Sequence, residues 1–135
     1  MKFSTKSTYG IRAIARLAKN RGLGNLSLAS IAEEEKISLA YLERIFVALK
    51  RSKIVSAEKG ATGGYRLIKD PKQISALEII QSLEGKKSLF HCQGMKGKIF
   101  CSTDCSCVAN QALSKLQTTL NDSLEKIKLS ELISR

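Results

Sequence analysis

Apolar positions near the start of the chain recur on a helical period. Ile11, Ile14, Ala15, Leu17 and Ala18 fall along one face, Ser4 or Thr5 can cap the run, and it ends near Asn20. Arg21-Gly22-Leu23-Gly24-Asn25 follows as a turn. Leu28, Ile31 and Ala32 then predict a short helix. After a brief turn at Lys36-Ile37, a second helix carries Leu42, Ile45, Phe46 and Leu49 inward. Ser27 and Ser38 stand where N-caps belong. This pattern reads either as a helical hairpin with a polar outer face or as a helix-turn-helix, whose second helix enters a DNA major groove with its N-terminal residues.

The period changes after the second helix. Lys53 to Ile68 reads as two short strands around a glycine-rich hairpin, which behind a helix-turn-helix makes a wing. Gly60, Gly63 and Gly64 serve the turn, and no Gly-Lys-Ser/Thr follows to make a P-loop. Asp70-Pro71 breaks the chain. Ile74, Leu77, Ile80 and Leu83 then predict a short amphipathic helix that closes the core. Farther on, from Val108 to Leu132, the residues Leu113, Leu116, Leu120, Leu124 and Ile127 form the seam of a helix of roughly 20 residues, about 30 Å long. A small winged domain cannot cover that length, so its apolar face is expected against a second subunit, with folding back on its own domain as the alternative. The expected fold is mainly α with a small β wing: a winged helix-turn-helix domain plus a long C-terminal dimerisation helix. The winged domain spans 1–84, a cysteine-rich sensor loop 85–107, and the dimerisation helix and tail 108–135.

Charge narrows the choice of partner. The 135 residues carry a formal net charge of +11, which favours a polyanion, nucleic acid before an anionic membrane surface. Residues 1–85 hold 15 Lys and Arg against 8 Asp and Glu, and residues 86–135 hold 8 against 4. The excess therefore sits on folded surfaces and not in a basic tail. No apolar run approaches the roughly 20 residues needed to span a bilayer, and no charged-then-apolar leader opens the sequence. A cytoplasmic protein is expected, in a compartment where thiols stay reduced. On the second helix, Ser38, Ala40, Tyr41, Glu43 and Arg44 point toward base edges and phosphates: Arg44 suits guanine and Glu43 suits cytosine N4. Lys59 and Gly60 tip the wing, with Arg66 behind them, placed to meet phosphates. Lys2, Lys6, Arg12 and Arg16, on or before the first helix, read equally as a solvated face or as phosphate contacts.

All four cysteines, Cys92, Cys101, Cys105 and Cys107, lie in one glycine- and lysine-rich stretch. Thiolates are soft ligands that suit iron-sulfur clusters, zinc or Cu(I). Structural zinc favours paired Cys-x2-4-Cys knuckles, and only Cys101-x3-Cys105 has that form. A thiol-disulfide switch, for instance between Cys92 and Cys101, needs no metal. If the tail helix begins near Ser106, Cys107 sits at its positive end, which favours the thiolate. His91, the single histidine, reads as a solvated loop residue. No Cys-x-x-Cys or Cys/His/Asp arrangement suggests catalysis, so no enzyme is expected.

Taken together, Ile37-Ser38-Leu39-Ala40-Tyr41-Leu42-Glu43, the wing Gly63-Gly64-Tyr65, the opening of the form Met-basic-apolar-Ser/Thr and the downstream cysteine loop resemble the IscR/NsrR-type winged-helix transcription regulators over nearly the whole chain. The resemblance implies a homodimer on a near-palindromic DNA operator, with Ser38, Tyr41, Glu43 and Lys59 in the interface. It also implies an iron-sulfur cluster, two-iron or four-iron, held by Cys92, Cys101 and Cys107, with Cys105 the fourth ligand or a spare. The chain departs from the pattern at several points. Eight residues separate Cys92 from Cys101; Asn110 stands where some members place a ligand histidine, and Thr8 where others supply an acidic residue from the partner's first helix. Ala40 lacks a hydroxyl sometimes present there, and Arg44 adds charge. The expected function is a DNA-binding transcription regulator whose operator affinity is controlled by the cluster, through redox state, nitric oxide or iron. The alternatives are a cluster-free thiol-switch regulator and a small iron-sulfur electron-transfer protein.

Overall fold

A computed structural model describes residues 4–86 and 108–134. Helices α1 (Thr5–Lys19), α2 (Leu28–Glu35) and α3 (Leu39–Arg51) come first. Strands β1 (Val55–Glu58) and β2 (Gly64–Leu67) follow, then α4 (Ala76–Glu84), α5 (Val108–Lys126) and α6 (Leu129–Ile133). The winged helix-turn-helix is present as the periodicity predicts. Ser27, Ser38 and Ser75 each accept a hydrogen bond from the backbone N–H three residues on, all at 3.1 Å, and each such cap stabilises its helix by about 1 kcal/mol.

The core lies where these helices cross. Ala13, Ile14, Ile31, Leu42, Ile45, Phe46, Leu49, Ile54, Val55, Ile74, Ile79 and Leu129 are all closed to solvent. Helix α1 is the hub, touching α2, α3, α4, α6 and β2. It approaches α4 so closely at Gly10 that a Cβ there would collide with the Leu83 side chain.

A Schellman motif ends α3. The Ile54 N–H reaches the Leu49 carbonyl and the Lys53 N–H reaches the Lys50 carbonyl, both at 3.0 Å. Lys53 takes φ +57, a left-handed conformation usually given to glycine. Lys53→Gly should therefore raise stability by roughly 0.5–1 kcal/mol, the relieved strain exceeding the added freedom of the unfolded chain. A higher urea midpoint at unchanged slope would register it.

Two elements differ from the sequence expectation. Helix α4 buries Ala76, Ile79 and Leu83, while Leu77 and Ile80 are half-buried and Ile74 precedes the helix. Steps of three drift around a helix of 3.6 residues per turn, so a face drawn at 74, 77, 80 and 83 cannot stay inward. The tail is also two helices and not one. Ile127, the last residue of the predicted seam, lies beyond α5, and its carbonyl accepts from the Ala76 N–H at 2.9 Å. The Leu129 N–H donates to the Ile74 carbonyl at 2.9 Å, and Ser75 and Lys128 form a β-bridge. These contacts turn the chain back, so that α6 packs on α1 with Leu129 fully buried. Helix α5 touches α4 and buries none of its own residues, leaving Leu116 exposed on its apolar side. No helix among the described residues is long and apolar enough to cross a membrane.

Candidate nucleic-acid interface

The turn between α2 and α3 sets how α3 is presented. Lys36 adopts φ +55, ψ 44 at the end of α2, Ile37 anchors the turn by burial, and Ser38 caps α3. With Leu42, Ile45, Phe46 and Leu49 turned into the core, the opposite side of α3 is left to solvent. Ala40, Glu43, Arg44, Val47 and Arg51 are all exposed there, along with Ser38 just before the helix. Tyr41 sits at the margin. It is half-buried, its ring edge-to-face on Tyr9 of α1 with centroids 5.7 Å apart.

Ion pairing separates the structural arginines from the available ones. Arg12 bonds Glu35 at 3.1 Å and lies over the Tyr9 ring, 5.6 Å from its centroid. Arg16 pairs with Glu34, Arg21 with Asp70, and Arg66 with Glu58 at 3.3 Å. Among the described residues only Arg44 and Arg51 lack such a partner, and both lie on the outer face of α3. Arg12 and Arg16, which the sequence leaves open between a solvated face and phosphate contacts, tie α1 to the end of α2 through these pairs. Lys2 lies outside the described residues.

The wing is held as one body with the helices. Its strands run antiparallel with Val55 opposite Leu67 and Glu58 opposite Gly64, leaving Lys59 to Gly63 as the tip. Lys59 and Gly60 are exposed, and Gly60 takes φ +103. At Gly64, φ is +141 and a Cβ would lie 2.7 Å from the Leu26 carbonyl oxygen, so only glycine fits. Tyr65 next to it exchanges two backbone hydrogen bonds with Leu26, at 2.8 and 3.0 Å, and sets its ring edge-to-face on Phe46 of α3 with centroids 4.8 Å apart. The Asn25 side chain adds bonds to Glu58 at 2.9 Å and to the Thr62 carbonyl at 3.0 Å. The segment before α2, the wing and the recognition helix are therefore tied to one another.

The helix-turn-helix pattern in the sequence points to the N-terminal turns of α3 and not to Val47 or Arg51. The spacing from Ala40, at i+7 and i+11, could have marked them as sharing its face. That Arg51 has no partner is visible only in three dimensions.

At the other end of the domain, Glu84 closes α4 immediately before the cysteine-bearing segment. Its carboxylate accepts from the hydroxyl of Ser4 and, at 2.6 Å, from that of the buried Ser7. Burial pushes this carboxyl up, but the two hydroxyls and the charge of Lys6 outweigh it and hold it below the ordinary 4.5. A carboxyl lowered by folding stabilises at pH above its unfolded value, and that contribution is lost as pH falls through the lower folded value. Glu84→Gln should thus be less stable than the parent at neutral pH, the difference closing in acid below 4.5. Urea midpoints across that range give the readout.

Cys92, Cys101, Cys105, Cys107 and His91 lie outside the described residues. Among the described residues no group of three or more His, Cys, Asp or Glu is placed to hold a metal ion. Thr8 is exposed on α1, and Asn110 is half-buried in the first turn of α5.

The family model for Rrf2, an iron-dependent transcriptional regulator, matches residues 3–135. The chain belongs to the Rrf2 family. It is 33% identical to the HTH-type transcriptional regulator IscR of Escherichia coli over 134 residues, 99% of this chain and 81% of that one. Among solved structures it is similar to CymR (YrzC) of B. subtilis, named a global cysteine regulator. The TM-score is 0.82 at 30% identity, covering 99% of this chain and 97% of the other. IscR of T. potens gives a TM-score of 0.81 at 31% identity, covering 99% and 87%. This Rrf2 chain is accordingly a winged helix-turn-helix, DNA-binding transcription regulator and not an enzyme. The electron-carrier alternative falls with that assignment.

Proposed function

We propose that this Rrf2 protein is a cytoplasmic homodimer that grips a near-palindromic operator with α3 and the wing, and that an iron-sulfur cluster sets the strength of the grip. The observation that carries the DNA-reading part is that, among the described residues, Arg44 and Arg51 on the outer face of α3 have no ion-pair partner, while Arg12 and Arg16 of α1 and Arg66 of β2 are ion-paired. In this reading Ser38, Ala40, Tyr41, Glu43 and Arg44 address the groove while Lys59 and Gly60 address the backbone. Helix α5, which buries none of its residues, supplies the subunit contact. A two-fold axis there would place the recognition helices about 34 Å apart, one turn of duplex.

The donor chemistry fits an iron-sulfur cluster: four thiols stand within one short segment, soft ligands of the type such clusters use. Cys92, Cys101 and Cys107 would hold it, with Cys105 the fourth ligand or a spare, and the cluster would supply a centre sensitive to electrons, nitric oxide or iron supply. The protein's own part is transmission. The segment bearing the cysteines leaves α4 beside the Glu84 clasp on α1. Helix α1 holds α3 through Tyr9 and Tyr41 and holds α2 through Arg12 and Glu35. A bias of 1–3 kcal/mol carried along that path would alter operator affinity by roughly 5- to 150-fold.

A cluster-free thiol switch is the second reading, favoured by the close fold match to a relative named for cysteine regulation. Anaerobic purification with absorbance, iron and sulfide analysis separates the two. Wild type should be coloured and loaded, Cys92→Ala and Cys107→Ala should lose iron, and full loading of Cys105→Ala would make that residue a spare. Colourless, iron-free wild type would overturn the cluster in favour of the thiol switch.

A further inference from the structure

The outward face of α3 is polar and charged apart from Ala40 and Val47; the other exposed apolar side chain of the helix, Leu39 in its first turn, stands three and seven residues from the buried Leu42 and Phe46 and so toward the inner face. Val47 is 58% exposed in mid-helix, where a β-branched side chain gains nothing for the helix and an apolar one nothing from water. Single exposed apolar residues are ordinary, but this one has particular neighbours. Ala40, Glu43, Arg44 and Val47 stand at i, i+3, i+4 and i+7, with Arg51 one turn farther. A helix lying in a major groove offers residues to base edges at this spacing. Glu43 and Arg44 bring hydrogen-bonding groups. The major-groove edge of the four bases has one apolar feature for Val47 to meet, the C5-methyl of thymine.

We propose that Val47 is a specificity-determining residue that packs on a thymine methyl in each operator half-site. The inference rests on the DNA-reading function proposed above. Three to four residues of helix advance about 4.5–6 Å, and base pairs stack at about 3.4 Å, so that thymine lies about one or two base pairs from the pair addressed by Glu43 and Arg44. Ala40, at the other end of the stripe, is also suited to a thymine methyl, but it lies seven residues away, about 10.5 Å along the helix, and so would meet a different base pair.

Deoxyuridine tests this directly, because it differs from thymidine only by that methyl. The full chain, purified anaerobically, is first used to select sites from a random duplex library. The selected duplex is then remade with uracil for thymine, one position at a time. Wild type should bind about fourfold more weakly per half-site when the critical methyl is removed, the worth of one buried carbon. Val47→Ala, which keeps a good helix former at an exposed site, should bind the thymine duplex more weakly and lose the preference for thymine over uracil at that position. Arg44→Ala should keep that preference. Equal sensitivity to uracil in wild type and Val47→Ala, or none in either, overturns the inference while leaving DNA reading intact. Dissociation of the dimer by Val47→Ala would place the residue in a subunit contact and also overturn it. Failure of wild type to bind any duplex at low salt removes the proposed function and the inference with it.

Discussion

Phe46→Ala should cost about 3–5 kcal/mol of folding stability, a large share of the roughly 5–15 kcal/mol that a domain commonly has. Phe46 is the largest fully buried side chain among the described residues. It sits on α3 among Leu42, Ile45 and Leu49 and receives the edge of the Tyr65 ring from β2. Truncation therefore opens a cavity in the core and also removes the surface on which the wing rests. The urea midpoint should fall with the slope unchanged, and cleavage after Lys59 by a trypsin-like protease should speed up more than cleavage elsewhere. Phe46→Leu keeps most of the volume and should lose less than half as much. A loss below about 1 kcal/mol for the alanine variant would mean that the neighbouring side chains collapse into the space, and that the aromatic pair does not secure the wing.

The parts of this fold that were legible in the sequence are those set by neighbours along the chain. Ser27 and Ser38 reveal themselves as caps because the donor each satisfies is three residues away, and Leu42, Ile45, Phe46 and Leu49 mark an inner face by their spacing alone. The wing is legible for the same reason, since glycines between two short apolar runs have few other uses. What escapes the sequence is long-range. Nothing local tells Lys128 to bridge to Ser75, so the turn from α5 into α6 reads as one continuous helix. Nothing local joins Arg12 to Glu35, so a structural arginine looks the same as a free one. The second case matters for the site: Arg44 was visible from its place in the recognition helix and spacing puts Val47 and Arg51 on the same face, but that Arg51 has no ion-pair partner and Val47 is open to solvent shows only once the partners of the described arginines and the exposure of the α3 face are known. Gly64 lies between the two cases. Its motif is plain in the sequence, but its reason, the backbone of Leu26 pressed against it, is not.

Arg44→Ala should weaken operator binding by roughly 5- to 150-fold per half-site, the 1–3 kcal/mol of a bidentate contact to guanine, and should do so without unfolding the protein. The side chain is exposed and has no partner among the described residues, so its removal should change stability by less than about 0.5 kcal/mol. Two controls make the result specific. Lys59→Ala at the wing tip should weaken all duplexes alike and reduce the steepness of the salt dependence by about one unit per subunit, as loss of a phosphate contact does. Arg12→Ala should do the reverse of Arg44→Ala, lowering stability by up to about 1 kcal/mol through its bond to Glu35 while leaving the base preference of the bound protein unchanged. Competition binding on a selected operator and on variants at each base pair, run at several salt concentrations, reads all three. If Arg44→Ala lowered affinity uniformly across sequences, the guanidinium would be touching phosphate, and base discrimination on α3 would have to come from Glu43 and the apolar side chains beside it.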